Sequence, residues 1–505
     1  QGDQQATIFA LIISFMFFFN SLSKPTKVLD KSKPPKSIFE TKQILSVVGQ
    51  TIINFTSLYY VLNDCKRYTL PYDATMERDG DFEPNSSIES TSWSEIDSAN
   101  PYIKALMTGS KWGDADPSST TTELKYYLYD GANTLEGKFG DILFEEEETA
   151  FLNAMEDYSS VANISFTESN SINDSHILWA SLNDEDSEGF LGYAYAPEGG
   201  AYDGLTTINY DQYTTDGELE NEQILLPGSY YYITAIHELG HALGLHHPFE
   251  GDKFPGVDES EDLGDNGFNA QPYTVMTYND EDANEYMPEG DTDNGFLEAL
   301  GAFDIAAMQY LYGANINLNT DDTIYYHDEE ESNGWFCIWD NGGTDTITAE
   351  DATKSVSIDL RNATLENEVG GGGYISQIGN DSLGLTIAYN STGDCIIENA
   401  EGSQYADEIR GNSANNTIYG DAGDDEIKGD GGDDKLYGDG GKDKLIGWTG
   451  DDYLKGGSSA DKLYGGSGAD YLRGGTSADR LYGDSGKDTL KGESGDDYLK
   501  GGSSA

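Results

Sequence analysis

The chain has 505 residues, with 28 Lys+Arg against 92 Asp+Glu and a formal net charge of −64. So acidic a protein is repelled by nucleic acid and by anionic membrane surfaces, and its length allows roughly two to four domains. Its 34 Tyr, 19 Phe and 6 Trp exclude disorder throughout, and three cysteines, Cys65, Cys337 and Cys395, exclude a disulfide scaffold.

Cys337 and Cys395 read as two unrelated buried thiols, although an oxidising compartment would let them pair. Residues 1–67 hold 8 basic and 4 acidic residues, 68–401 hold 8 and 67, and 402–505 hold 12 and 21. The middle of the chain carries the acidity. This pattern fits a fold adapted to salty surroundings, where counterions screen self-repulsion and stability rises with salt. The chain lacks an initiator Met and breaks off inside a repeat, so it is expected to be a fragment at both ends.

In chain order, Ile8–Phe19 is an apolar run too short to span a bilayer comfortably. It has the look of a signal-peptide core, but Gln1–Gln5 supply no positive charge. A second uncharged run, Ile44–Leu62, follows Lys31, Lys33, Lys36 and Lys42. Residues 1–67 are thus an export signal, a membrane hairpin with its lysines inside, or a pro-segment; export or pro-segment is favoured.

From about Tyr68 the chain reads as globular. Lys125–Tyr129, Ile164–Phe166, His176–Leu182 and Gly204–Tyr210 are predicted strands. Glu145–Tyr158 is a predicted helix, because Phe151, Met155 and Tyr158 fall at i, i+4, i+7. A second helix starts near Pro227-Gly228-Ser229 and runs to about Leu243, and a third covers Ala302–Tyr312 before Gly313. This succession predicts an α+β layered domain. Residues 314–401 show short β-like runs with Gly-rich turns.

The second helix carries His237-Glu238-Leu239-Gly240-His241-Ala242-Leu243-Gly244-Leu245-His246-His247-Pro248. Residues four apart on a helix are neighbours, so His237 and His241 can aim at one point. Gly244 can take a positive φ and turn the chain sharply, which returns His247 as a third ligand. Imidazole nitrogens suit zinc, and three protein ligands leave the fourth place open, as in catalytic sites. Glu238 then stands beside the metal, placed to take a proton from the attacking water. The offset selects His247 over its neighbour His246, which reads as a surface residue. His176 and His327 are isolated and assigned to ordinary structural or surface places.

This extended pattern resembles that of the metzincins, whose other mark is a turn containing Met. Tyr273-Thr274-Val275-Met276-Thr277-Tyr278 fits it. The resemblance implies that Met276 forms an apolar floor under the histidines. It also implies that Tyr278 acts as a swinging extra ligand that hydrogen-bonds the tetrahedral oxyanion. The serralysin subgroup is most similar, through Asn100–Ile103, Lys111-Trp112-Gly113, Ser159–Phe166, Gly192-Tyr193-Ala194-Tyr195, Gly244–Pro248 and Asp304–Asn315. The likeness covers roughly residues 95–505; the first 67 residues and the cysteines depart from it.

From Gly402 a period of nine repeats through eleven complete units, with Asp at the sixth place in every one but the unit holding Asn416, and Ile or Leu at the eighth. The array resembles the RTX consensus. Glycines permit the turn, turn carbonyls and sixth-place carboxylates supply hard oxygen ligands for calcium, and eighth-place side chains point inward from short strands. Two units make one turn of a parallel β-roll. Asp407, Asp425, Asp434, Asp443, Asp452, Asp461, Asp470, Asp479, Asp488 and Asp497 are the expected calcium ligands. Asn416 marks a weaker capping turn, and the array without calcium is expected to unfold. Asp340-Asn341-Gly342-Gly343-Thr344-Asp345 resembles half of such a site, and Glu250–Asp265 is either a further calcium site or, the favoured reading, a solvated acidic loop.

The expected organisation is an export, anchor or pro-segment at 1–67, a zinc metalloprotease domain at 68–313, a β-rich linker region at 314–401 and a truncated roll at 402–505. The α+β metzincin domain is thus followed by an all-β parallel β-roll. The expected function is a secreted, extracellular, monomeric zinc endopeptidase acting on protein substrates and steadied by several calcium ions. Its Gly204–Tyr210 strand is the expected edge that pairs with substrate. The alternatives are a calcium-dependent RTX adhesion protein with an inactive protease-like domain, and tethering at the cell surface by the N-terminal apolar segment.

Overall fold

Five strands form the sheet that carries the first half of the protein: β1 (Thr122–Leu128), β2 (Ile164–Glu168), β3 (Ile177–Leu182), β4 (Gly192–Ala194) and β5 (Leu205–Asn209). The structure is a computed structural model and describes residues 90–92, 100–113, 121–129, 134–135, 138–139, 143, 145–182, 191–198, 203–209, 214–215, 218–219, 226–279, 295–327, 334–379 and 384–503. The segment 1–67, read as export or pro-segment, lies outside the described residues. Among them, no helix is long and apolar enough to cross a membrane.

The sheet order is β2-β1-β3-β5-β4, parallel throughout except for the antiparallel β5–β4 pair. The expected edge is therefore corrected. The strand within 204–210 is internal, buried along its whole length between β3 and β4, and the edge on its side of the sheet is Gly192–Ala194. The run Leu205-Thr206-Thr207-Ile208 is rich in β-branched residues, as central strands are. A three-residue strand that begins with glycine gives almost no such signal.

Among the described residues, four α-helices accompany this sheet: α1 (Pro101–Ala105), α2 (Glu145–Val161), α3 (Tyr230–Ala242) and α4 (Ala302–Tyr312). Phe151, Met155 and Tyr158 of α2 are all buried, and Phe151 stacks on Trp179 of β3 with ring centroids 4.0 Å apart. Ser229 caps α3 by accepting from the Tyr232 amide at 3.3 Å. At the other end, Trp112 Nε1 donates to Ala242 O at 2.8 Å and Tyr312 Oη to Leu243 O at 2.7 Å, so buried side chains satisfy carbonyls that the helix leaves over.

The second half is two stacked sheets. One has eight strands, all parallel, running from Ile324–Tyr326 through Thr346–Thr348 and Asn399–Glu401 to Thr489–Ser494. The other has ten, from Trp335–Ile338 to Tyr498–Lys500. Within the repeats each strand pairs with the one eighteen residues on, as Ile427 with Leu445 and Leu445 with Leu463. That offset is two nine-residue units per turn. Ile409, Ile418, Ile427, Leu436, Leu445, Leu454, Leu463, Leu472 and Leu481 are fully buried between the sheets. Residues 314–401 meet the repeats without a seam, because Asn399–Glu401 pairs with Thr417–Tyr419 and Val356–Asp359 with Glu408–Arg410. Cys337 and Cys395 are both free and buried.

Residues Gly80–Ala505 close into one compact unit. The loop 365–373 leaves the roll and tucks against the first half. Asn367 Oδ1 accepts from Tyr102 Oη at 2.9 Å and from Asn266 Nδ2 at 2.7 Å. A Cβ on Gly371 would stand 2.8 Å from the Phe268 ring, and one on Gly372 2.6 Å from Tyr273 and 2.8 Å from Phe303. The glycine run is what lets backbone approach these aromatic rings.

Candidate metal centre

The third-ligand geometry begins at Gly244, whose φ is +102° and whose Cβ would stand 2.3 Å from Ser110 O. No side chain fits there, so the chain can turn. Beyond it, His246 N donates to Leu106 O at 3.0 Å, a backbone bond that ties the returning segment to the end of α1. As a result His237, His241 and His247 offer ligand atoms that all lie within 4.8 Å of one another. His237 Nε2 is 3.1 Å from His247 Nε2, and His241 Nε2 is 3.0 Å from it. A tetrahedral ion with metal–nitrogen bonds of about 2.0–2.1 Å spaces its ligands by roughly 3.3 Å, so the cluster fits a zinc ion with small adjustments.

The outer nitrogens support the same fit. His237 Nδ1 donates to Val275 O at 2.8 Å and His241 Nδ1 to Leu245 O at 3.0 Å. Those bonds assign the protons outward and turn the Nε2 lone pairs inward. Glu250 Oε2 lies 3.1 Å from His247 Nδ1. Burial first, and then the neighbouring rings, push His237 and His241 down to about 3 and His247 to about 4. All three are neutral at pH 7, the form that binds metal. His246 is half-buried and its ring centroid is 6.3 Å from that of His247, outside the cluster. His176 and His327 are buried elsewhere; His176 Nδ1 accepts from the Lys125 amide at 2.7 Å.

Glu238 is buried, and its Oε2 has no hydrogen-bond partner among the described residues. Burial pushes its carboxyl up to about 8. Gly192 of β4 lies against it: a Cβ there would stand 2.9 Å from Glu238 Oε1 and 2.8 Å from Thr207 O. Met276 is fully buried under α3, and a Cβ on Gly240 would stand 2.8 Å from its Sδ. Tyr278 is 58% exposed, with its ring centroid 5.7 Å from that of His237 and 4.7 Å from that of His247. Burial, then Glu238 and Glu250, push its phenol up to about 12.

The sixth-place carboxylates form a second kind of site. Asp425 Oδ1 accepts from Asp407 N at 2.9 Å, Asp434 Oδ1 from Asn416 N at 2.8 Å, and the pattern repeats every eighteen residues. In Asp425, Asp434, Asp443, Asp452, Asp461, Asp470 and Asp479 the other oxygen, Oδ2, is buried without a partner among the described residues. Each of these oxygens faces the glycine that opens its own unit; a Cβ on Gly429, for example, would stand 2.1 Å from Asp434 Oδ2. Unpaired carboxylate oxygens in a cradle without side chains fit calcium. Asp488 and Asp497 accept the same backbone bonds at the less buried end. Asp407 differs, since Ser403 donates to its Oδ2 through both amide and hydroxyl. In the half-site, Asp345 Oδ2 is likewise buried and unpaired, and Asp345 N donates to Glu398 Oε2 at 2.9 Å.

Several residues around the cluster carry no signal of their role in the sequence. Glu250 stands in the acidic loop, Gly192 and Asp304 inside family-like stretches, and Thr274 beside Met276. Gly192 and Asp304 are hidden by distance along the chain, and Glu250 and Thr274 by the absence of any spacing rule that marks them. Other residues of the acidic loop make structural contacts: Asp262 Oδ2 accepts from the amides of Asp258 and Glu259 at 2.8 and 2.9 Å, Asp252 pairs with Lys104 at 2.9 Å, and Asp265 Oδ2 accepts from Asn367 Nδ2 at 3.1 Å.

Comparison with known protein families matches residues 123–253 to Matrixin, and five overlapping segments between 401 and 505 to the RTX calcium-binding nonapeptide repeat. The chain is similar to Metallopeptidase AprA of Pseudomonas marginalis, 30% identical over 260 residues, covering 45% of this chain and 53% of the relative. It is similar to Serralysin of Proteus mirabilis, 35% identical over 187 residues, covering 31% and 36%. It is also similar to Serralysin of Photorhabdus luminescens, 30% identical over 329 residues, covering 57% and 64%. The chain thus spans about half the length of the curated relatives it matches. The match to Matrixin surrounds the histidine cluster and the match to the RTX repeat lies behind it, and over these parts the chain is similar to the serralysins.

Proposed function

We propose that the chain is a secreted zinc endopeptidase that hydrolyses peptide bonds of protein substrates and is steadied by calcium on its repeats. The observation that carries this reading is the buried, unpartnered Oε2 of Glu238 beside three inward-facing imidazole nitrogens. His237, His241 and His247 would hold the zinc. Bound there, zinc supplies Lewis acidity toward the scissile carbonyl and the attacking water. Glu238 receives the proton of that water and returns it to the leaving amine. The open edge of β4 pairs with an extended substrate, and Gly192 lets that strand lie against Glu238. Met276 is the apolar floor.

Tyr278 stabilises the oxyanion, because its exposed ring stands over the cluster, with centroids 5.7 Å from His237 and 4.7 Å from His247, and its phenol is a hydrogen-bond donor. Tyr278→Phe is expected to lower kcat about 10²-fold with KM little changed. Steady-state kinetics on a peptide substrate would check this; an unchanged kcat would remove Tyr278 from the mechanism.

The sixth-place aspartates from Asp425 to Asp497 take the calcium, while Asp407, expected among them, has its oxygens bound by Ser403 and Val356; the division into a catalytic part at 68–313, a connecting part at 314–401 and a roll at 402–505 belongs to the same reading. The alternative, an adhesion protein with an inactive protease-like part, is not favoured, because Glu238 and the three histidines are all in place. Casein digestion tests the proposal. Cleavage should stop in a zinc chelator and return with added zinc; cleavage indifferent to the chelator would overturn the reading.

A further inference from the structure

A directed run of hydrogen bonds leads away from His237. Its Nδ1 donates to Val275 O at 2.8 Å. At the other end of that peptide unit, Met276 N donates to Thr274 Oγ1 at 3.1 Å. Thr274 Oγ1 donates in turn to Asp304 Oδ1 at 2.6 Å. Thr274, Met276 and Asp304 are fully buried. Asp304 is itself fixed, since its Oδ2 accepts from Val275 N at 2.7 Å and from Gly301 N at 2.9 Å, at the start of α4.

Every proton in this run points toward the carboxylate. Bonds aligned in that way polarise one another in a low-dielectric interior. The carboxylate draws the threonine proton, so Oγ1 accepts more strongly from Met276 N–H. That polarises the Val275–Met276 peptide and makes its oxygen a better acceptor for Nδ1–H. The imidazole gains electron density at Nε2 and loses freedom to rotate. The other two histidines differ: His247 Nδ1 lies 3.1 Å from Glu250 Oε2 without an aligned hydrogen bond, and His241 Nδ1 donates directly to the Leu245 carbonyl at 3.0 Å.

We propose that Thr274 and Asp304 are positioning residues for His237, the carboxylate acting on its Nε2 through the threonine hydroxyl and the Val275–Met276 peptide. The inference rests on the reading of His237 as a zinc ligand. Thr274→Val removes the hydroxyl and nearly preserves shape, while Asp304 keeps its bonds to Val275 and Gly301. Thr274→Ser restores the hydroxyl. Zinc affinity is measured by chelator competition well below each variant's melting temperature, together with the visible spectrum of the cobalt-substituted protein.

Thr274→Val should weaken zinc binding roughly tenfold, the low end for groups behind a metal ligand, and shift the cobalt bands; Thr274→Ser should stay near wild type. A Thr274→Val protein that binds zinc like wild type overturns the relay, and so does a Thr274→Ser protein as weak as Thr274→Val. If Thr274→Val does not fold, Thr274→Ala against Thr274→Ser carries the same comparison. A wild-type chain that takes up no zinc overturns the underlying reading instead, which separates the two failures.

Discussion

Glu238→Gln is expected to keep its zinc and lose cleavage, with kcat falling by about 10²–10⁴-fold, the usual contribution of a positioned general base. The substitution preserves shape, so the contact with Gly192 survives and the histidines stay where they are. What it removes is an oxygen able to receive a proton. The wild-type Oε2 is buried and makes no hydrogen bond among the described residues, so no structural bond is lost with its charge. Metal analysis and a peptide-cleavage assay on both proteins would decide the matter. Full activity in Glu238→Gln would defeat the mechanism, whatever the zinc content.

Removing calcium should unfold the repeats at neutral pH and spare them in acid. Burial pushes Asp425 and Asp461 up to about 7, Asp434 to about 8, and Asp443, Asp452 and Asp470 to about 6. In an unfolded chain an aspartate titrates near about 3.9. The folded pKa is the higher one, so the folded calcium-free roll binds more protons than the unfolded chain. Its stability is therefore fully present below about pH 4 and is lost as pH rises through 6 to 8. A bound divalent cation does at neutral pH what protons do in acid. Circular dichroism of calcium-free protein should lose its β signal at pH 8 and regain it on adding calcium, with a milder loss near pH 4.5. A signal at pH 8 that ignores the chelator would contradict this.

Much of the fold was legible because local pattern and tertiary burial agree. The i, i+4, i+7 apolar set of α2 is the face it buries, and α4 runs from Ala302 to Tyr312 as its sequence predicts. The period of nine carries the roll's geometry outright, since the strand offset is twice the period. The extension of the roll into 324–401 was not legible. Apart from Asp340–Thr348 those strands have lost the phase, and pairing between Val356–Asp359 and Glu408–Arg410 leaves no mark in either segment. The histidine spacing showed where a metal would sit. It could not show Asp304 beneath Val275, because the partner of a buried amide can come from anywhere in the chain.

The loop 365–373 falls by sequence in the region expected to link catalytic domain and roll, and packs against the aromatic rings of Phe268, Tyr273 and Phe303. Severing the protein near residue 313 would therefore not release a self-sufficient fold. It would bare Phe268 and Phe303 to water and take away the polar groups that satisfy Tyr102 and Asn266. The boundary that looks like a joint in the sequence is an internal surface of one body.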